Sequence, residues 1–189
     1  MHDFSAILGS ASFDWQFSNA TVGKAGAWAT EPGDFVGGVV AIRDLTQPEG
    51  RTLCLELGNL PADHRAVVCY KSAGEQITRL YQNGGLRSID TSNWDVEIYA
   101  GGIRIEKYLI AFAGFGLKED WKLNEAISVV IGAYLLTRDK GLMLGEGEEE
   151  CTKFNGTALH AIALFLDRAQ AHGNDLIKEF SNSVFGLKA

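Results

Sequence analysis

The sequence predicts one α+β domain: an antiparallel sheet of about five strands, covered by helices mainly on one face. Three observations carry this expectation. Two-residue alternation recurs in short runs, most clearly over Thr52 to Leu57, where Leu53, Leu55 and Leu57 share one face and Thr52, Cys54 and Glu56 the other. A helical apolar period runs from Lys118 to Thr137. The order is strands, helix, strands, then helices, unlike the strict alternation of a doubly wound parallel fold.

The bulk composition fits a single domain spanning residues 1–189. Its 189 residues, 46% apolar and 22% charged, match a globular chain that needs no disulfide or metal to fold. The net charge of −7, with seventeen scattered basic residues, argues against nucleic acid and against an anionic membrane surface. No run of eighteen apolar residues predicts a membrane span, and Met1-His2-Asp3-Phe4 lacks the basic start of a secretion signal. Cys54, Cys69 and Cys151 are odd in number and lack metal-ligand spacing, so free thiols and a cytoplasmic location are expected. The sequons at Asn19 and Asn155 are discounted for the same reason.

Residues 1–33, rich in Gly, Ala and Ser, are expected to be irregular and to pack Trp15 and Trp28 on the domain. Phe35 to Ile42 predicts a strand whose Gly37-Gly38 pair suggests a bulge or a close backbone approach. Leu60 to Asp63 predicts a loop, and Ala66 to Tyr70 a second strand pairing antiparallel with Thr52–Leu57. Ser72 with Glu75 forms a capping-box pattern that should open a helix carrying Ile77, Leu80 and Tyr81, stopped by Asn83-Gly84-Gly85.

Val96, Ile98 and Ala100 alternate with Asp95, Glu97 and Tyr99 as in a half-buried strand, resumed after Gly101-Gly102 by Ile103 and Ile105. Tyr108 to Ala113 is apolar on both faces and should lie centrally in the sheet. In the long helix, Leu123, Ile127, Val130, Ile131 and Tyr134 should face inward, and Lys122 and Glu125 outward. After an acidic loop over Glu146 to Glu150, a helix is expected from about Thr157 to Ala171. A last short helix, capped by Asn174, carries Ile177, Phe180 and Val184.

Nucleotide-binding glycine loops, a nucleophile elbow and the common zinc motifs are absent from the sequence. The candidate ligand-binding residues are therefore histidines and their neighbours. His64 follows Asp63, whose carboxylate could orient the imidazole; His160 falls between Leu159 and Ile162 on the apolar arc of its helix. An exposed turn histidine and a satisfied seam histidine are the plainer accounts of each. The acidic run at 146–150 lacks the ligand pattern of a calcium loop. The glycines at 101–102 and 114–116 mark strand ends where a ligand or a second backbone could come close.

The stretch Ala100-Gly101-Gly102-Ile103-Arg104-Ile105, continuing through Leu109-Ile110-Ala111-Phe112-Ala113-Gly114-Phe115-Gly116 into Lys118-Glu119-Asp120, resembles the GlcG/HbpS-like family. The resemblance covers about forty residues. It departs at Arg104, where the family has Pro, at Phe115, where it favours a small polar residue, and at Leu60–Asp63, which replaces a glycine-rich turn. It implies a profilin-like fold, assembly into homo-oligomers and, in some members, haem as a bound cofactor. No functional residue carries over.

These observations support three expectations. The first is a non-enzymatic domain that binds or senses a small molecule as a homo-oligomer, ligand unknown. The second is an enzyme acting on a small metabolite through His64 and Asp63. The third is a protein-interaction domain, which predicts an exposed apolar patch, with the aromatics of the first thirty residues as its expected source.

Overall fold

The computed structural model describes residues 14–29, 35–47, 50–116, 121–139 and 174–186. Its elements, in chain order, are α1 (Trp15–Ala25), β1 (Gly37–Asp44), β2 (Thr52–Gly58), α2 (His64–Asn83), β3 (Gly102–Ile105), β4 (Tyr108–Phe115), α3 (Trp121–Asp139) and α4 (Leu176–Phe185). The described strands form one antiparallel sheet of four, ordered β2-β1-β4-β3. The apolar β4 is internal, as its two-sided hydrophobicity predicts.

Alternation along the strands divides the core into two layers. Val40, Ile42, Leu57, Ile103, Ile105, Ile110 and Phe112 face α3, with α1 and α4 packed on its far side. Val39, Ala41, Leu109, Ala111 and Ala113 face α2 through Ala66, Cys69, Ala73, Ile77 and Leu80. Helices therefore cover both faces of the sheet, rather than mainly one.

Several sequence expectations are corrected. Residues 1–33 are not wholly irregular: 15–25 form α1, because Asp14 Oδ1 accepts from Phe17 N at 2.9 Å and Phe17, Thr21, Val22 and Ala25 are buried. Phe17 stacks on Tyr134, with ring centroids 3.9 Å apart.

Ala66 to Tyr70 is helix, not strand, and β2 pairs with β1 instead. A short apolar run fits either period. Here Asp63 holds the cap, well upstream of the Ser72–Glu75 pattern, and Ser72 is itself buried in mid-helix. Ala66, Cys69, Ala73, Ile77 and Leu80 then supply one continuous inward stripe across what looked like two elements. Gly84, in the left-handed conformation, ends it.

Val96 to Ala100 is not a strand. Trp94–Val96 form a 3₁₀ turn, Asn93 and Ile98 exchange backbone hydrogen bonds at 2.9 Å, and Glu97 has φ 59°. The half-buried strand expected over 95–100 is thus not formed. Gly102–Ile105 pairs with β4 through the two-residue Glu106–Lys107 connection. Near the far end of the chain Asp175, rather than Asn174, holds the N-cap position of α4, while Ile177, Phe180 and Val184 are buried as expected.

Candidate functional site

Two regions concentrate polar chemistry. The first is a seam at the end of the sheet where β3 begins. Glu125, expected on the outer side of α3, is fully buried and pairs with Arg87, whose Nε lies 2.8 Å from Oε1 and Nη2 3.0 Å from Oε2. Burial pushes the Glu125 carboxyl above its ordinary range, against the opposing pull of Arg87 and a hydrogen bond from Asn174.

Beside this pair, Ser88 Oγ accepts from Gly101 N at 3.0 Å and Gly102 N at 2.8 Å and donates to Gln76 Oε1 at 3.3 Å. Ser128 Oγ accepts from Phe112 N at 2.8 Å and donates to Gly101 O at 2.6 Å, taking the place of the next rung of the β3–β4 ladder. Gly101 has φ 144°, and a Cβ there would stand 2.7 Å from Phe112 O and 2.8 Å from Asn124 Cβ. The close approach expected at these glycines is made by the protein's own backbone and helices. Apart from Asn174 Oδ1, which is buried without a partner, these polar groups of the seam bond one another and the adjoining backbone and so fix the sheet end between α2 and α3.

The second region is the outer face of α2. Gly74, halfway along the helix, has nothing within 4 Å of the point a Cβ would occupy, and it floors an open saddle of about 630 Å³. Tyr70, Lys71, Glu75 and Thr78 rise around it, with Thr52 and Cys54 of β2 on one side and Val96–Ile98 on the other. Arg79 ties the 88–99 segment to α2 by donating to Thr91 O at 2.9 Å, Ser88 O at 3.2 Å and Tyr99 O. Partial burial lowers the Arg79 pKa, with Glu75 acting the other way.

This face is also apolar. Of the seven exposed large hydrophobics among the described residues, Val67, Val68, Tyr70 and Tyr81 lie on α2, and Leu86 and Val96 lie in the segment that follows it; Trp15 is the exception. Tyr81 is held in place by the Arg43 guanidinium, 3.8 Å from its ring centroid.

Asp63 and His64 stand together at the start of α2. The His64 side chain is 80% exposed, and its Nδ1 is 3.9 Å from Asp63 Oδ1. The Asp63 carboxylate serves Arg65 instead: Oδ1 accepts from Arg65 N at 2.8 Å and Oδ2 from Nη2 at 2.6 Å. That side-chain bond, with the backbone bond behind it, holds the Asp63 carboxyl down to about 2. His160, the 146–150 acidic run, Cys151 and the helix expected at 157–171 lie outside the described residues.

Cys54 and Cys69 are free, and both sit on the α2 side of the sheet, Cys69 on the helix rather than on a neighbouring strand. Burial raises both thiols, Cys69 to about 11. No group of three or more His, Cys, Asp or Glu side chains among the described residues could hold a metal ion, and no described helix is long and apolar enough to cross a membrane. Comparison of the chain with protein-family models, with curated proteins and with solved structures finds no match.

Proposed function

We propose that this domain is a protein-interaction module whose docking surface is the outer face of α2. The observation that carries it is the clustering of exposed Val67, Val68, Tyr70, Tyr81, Leu86 and Val96 on α2 and the segment after it. A helix needs one apolar stripe to bury against its own sheet, and α2 has that in Ala66, Cys69, Ala73, Ile77 and Leu80. Of its second set, Tyr81 is stacked by Arg43 and Tyr70 is hydrogen-bonded to Glu56, yet all stay exposed, and clustered apolar surface of this kind marks a face a partner can cover.

Among the described N-terminal aromatics Trp15 is exposed as expected, Phe17 is buried and Trp28 packs against the core, and the other exposed large hydrophobics lie on α2 and the segment after it. The small-ligand alternative keeps one support, the saddle over Gly74 with the half-buried Arg79 on its wall.

A photo-crosslinking amino acid at Val67 tests the proposal, with the same group at exposed Lys178 on α4 as control. The expected result is a discrete adduct from position 67 alone. Its partner, once identified and purified, should bind the chain and lose binding to Val67→Asp. Equal labelling from both positions, or none from position 67, overturns the assignment.

A further inference from the structure

We propose that a partner protein engages this domain by adding an extended segment to the free edge of β2, in the groove between β2 and α2. This rests on the domain being an interaction module, and names the element that pairs and the kind of segment it takes.

The backbone fixes which groups are free. Phe112 N turns away from β1 to Ser128 Oγ, so Leu109, Ala111 and Ala113 are the residues of β4 that bond β1. Alternation across β1 then makes Leu53, Leu55 and Leu57 its hydrogen-bonded partners on the other side. The backbone of Thr52, Cys54, Glu56 and Gly58 therefore points outward. Gly58 N agrees, since it donates to Asn19 Oδ1 at 2.8 Å. Among the described residues nothing pairs with the N–H and C=O groups of Thr52, Cys54 and Glu56 on this side. As an edge strand β2 carries no proline, lysine or bulge to blunt it. Extended backbone is what such a row of donors and acceptors matches.

The groove beside this edge runs its whole length. Tyr70 bonds Glu56 through its hydroxyl, Gly74 and Cys54 line the same saddle, and Tyr81 lies against Arg43, the register partner of Thr52. So α2 descends beside β2 in the opposite direction. A segment of about five residues covers Thr52 to Glu56.

Alternate side chains of the added strand fall on the α2 side, next to Cys54 and Glu56. The one opposite Cys54 meets the space over Gly74, where nothing lies within 4 Å of the absent Cβ, which suits a bulky apolar residue. The one opposite Glu56 meets a carboxylate with no ionic partner among the described residues, which suits Lys or Arg. Residues opposite Leu53 and Leu55 lie along half-buried leucines on the other face and are apolar. In the antiparallel sense of the rest of the sheet, the segment reads basic, apolar, bulky apolar, apolar from its N-terminus. A second copy's β2 would instead bring its own Thr52, Cys54 and Glu56 to the groove. Those are two small side chains and a carboxylate, beside Glu56 and Glu75, so the segment belongs to a different protein.

A phage-displayed library of random peptides panned on the full-length protein tests this, with Gly74→Leu for comparison. The expected result is enrichment of that basic-to-apolar family. A synthetic member should bind with a micromolar Kd, and Gly74→Leu about tenfold more weakly with an unchanged circular dichroism spectrum. N-methylation of its bulky residue removes the amide that faces Cys54 O and should weaken binding at least about tenfold. N-methylation of either neighbour, whose amide faces solvent, should change affinity less than about threefold. Glu56→Lys should turn the preference at the basic position to an acidic residue.

No enriched family, or N-methylation that acts equally at adjacent positions, overturns the inference. A light-scattering mass that rises from 20.5 kDa towards twice that value with concentration, and that the peptide reverses, gives the edge to a second copy instead. If no peptide binds while position 67 still crosslinks to a partner, only strand addition fails; if neither occurs, the interaction-module reading fails with it.

Discussion

The helices α3 and α2 are of nearly equal length, nineteen and twenty residues, and lie on opposite faces of the same sheet, yet they are buried to very different depths. In α3 fifteen residues are buried, because the sheet covers one side and α1 and α4 the other. Its polar residues must therefore be satisfied inside the protein, and they are: Glu125 by Arg87, Asn124 by Gly114 N, Ser128 by Gly101 O and Phe112 N. In α2 only the sheet-facing stripe is buried, and the opposite side meets solvent with valine and tyrosine. The contrast separates two kinds of exception to simple patterning. A charge buried on α3 belongs to the architecture, whereas the apolar side chains left exposed on α2 are the ground for the proposed docking face.

If that division is right, substitutions in the seam should cost stability and substitutions on the α2 stripe should not. The largest effect is expected at Glu125. Glu125→Ala leaves the Arg87 guanidinium buried without its carboxylate and should lower unfolding free energy by about 3–5 kcal/mol in chemical denaturation. Replacing both partners by apolar residues of similar volume should recover most of that loss. A cost below about 1 kcal/mol for Glu125→Ala would show that water reaches the pair and would remove the contrast at its strongest point.

Gly101→Ala should follow, at about 3 kcal/mol, since it combines a left-handed backbone with contacts of 2.7 and 2.8 Å that neither β4 nor α3 can easily relieve. Asp14→Ala removes the cap of α1 and the acceptor of the Tyr134 hydroxyl at 2.6 Å, for an expected loss of about 1–2 kcal/mol. Both are measured by the same denaturation experiment.

The strands β1, β2 and β4 were legible in the sequence from their alternation or two-sided apolarity, and the long helix from an apolar run too long for a strand. Leu55 and Leu57 pack on the α3 side and Cys54 on the α2 side, as strict alternation requires. The departures arose where an apolar residue served something other than the local core. Val67, Val68 and Tyr70 make 66–70 look like a strand only because they are apolar on the outside of a helix. The residues that mislead a secondary-structure reading are therefore the same ones that form the proposed docking face. Glu125 failed in the opposite direction: nothing near it in sequence announces Arg87, thirty-eight positions away. The saddle was not foreseeable either, since Thr52, Gly74 and Val96 come together only through the packing of α2 on the sheet.

Alkaline pH gives a smaller effect on the α2 layer. The folded Cys69 thiol holds its proton more tightly than the unfolded chain does, so its contribution is complete below the unfolded value of 9.0 and is lost as pH rises through about 11. Thermal unfolding followed across that window should show a decline that Cys69→Ala makes shallower. An identical decline in the variant would assign the alkaline loss to other groups, Tyr108 among them, which burial and Asp139 push up to about 12.

The smallest expected change is the one that most directly sharpens the contrast between the faces. Gly74→Ala adds a methyl group where nothing lies within 4 Å and replaces the poorest ordinary helix former by the best. Under conditions where the chain is monomeric it should gain up to about 1 kcal/mol, and Val67→Asp should stay within about 0.5 kcal/mol of the parent. A glycine with open space beside it, where alanine would favour the helix, is accounted for under the proposed docking face by what it admits from outside. Should Gly74→Ala destabilise the monomer instead, position 74 would be filled by the fold itself, and α2 would resemble α3 after all.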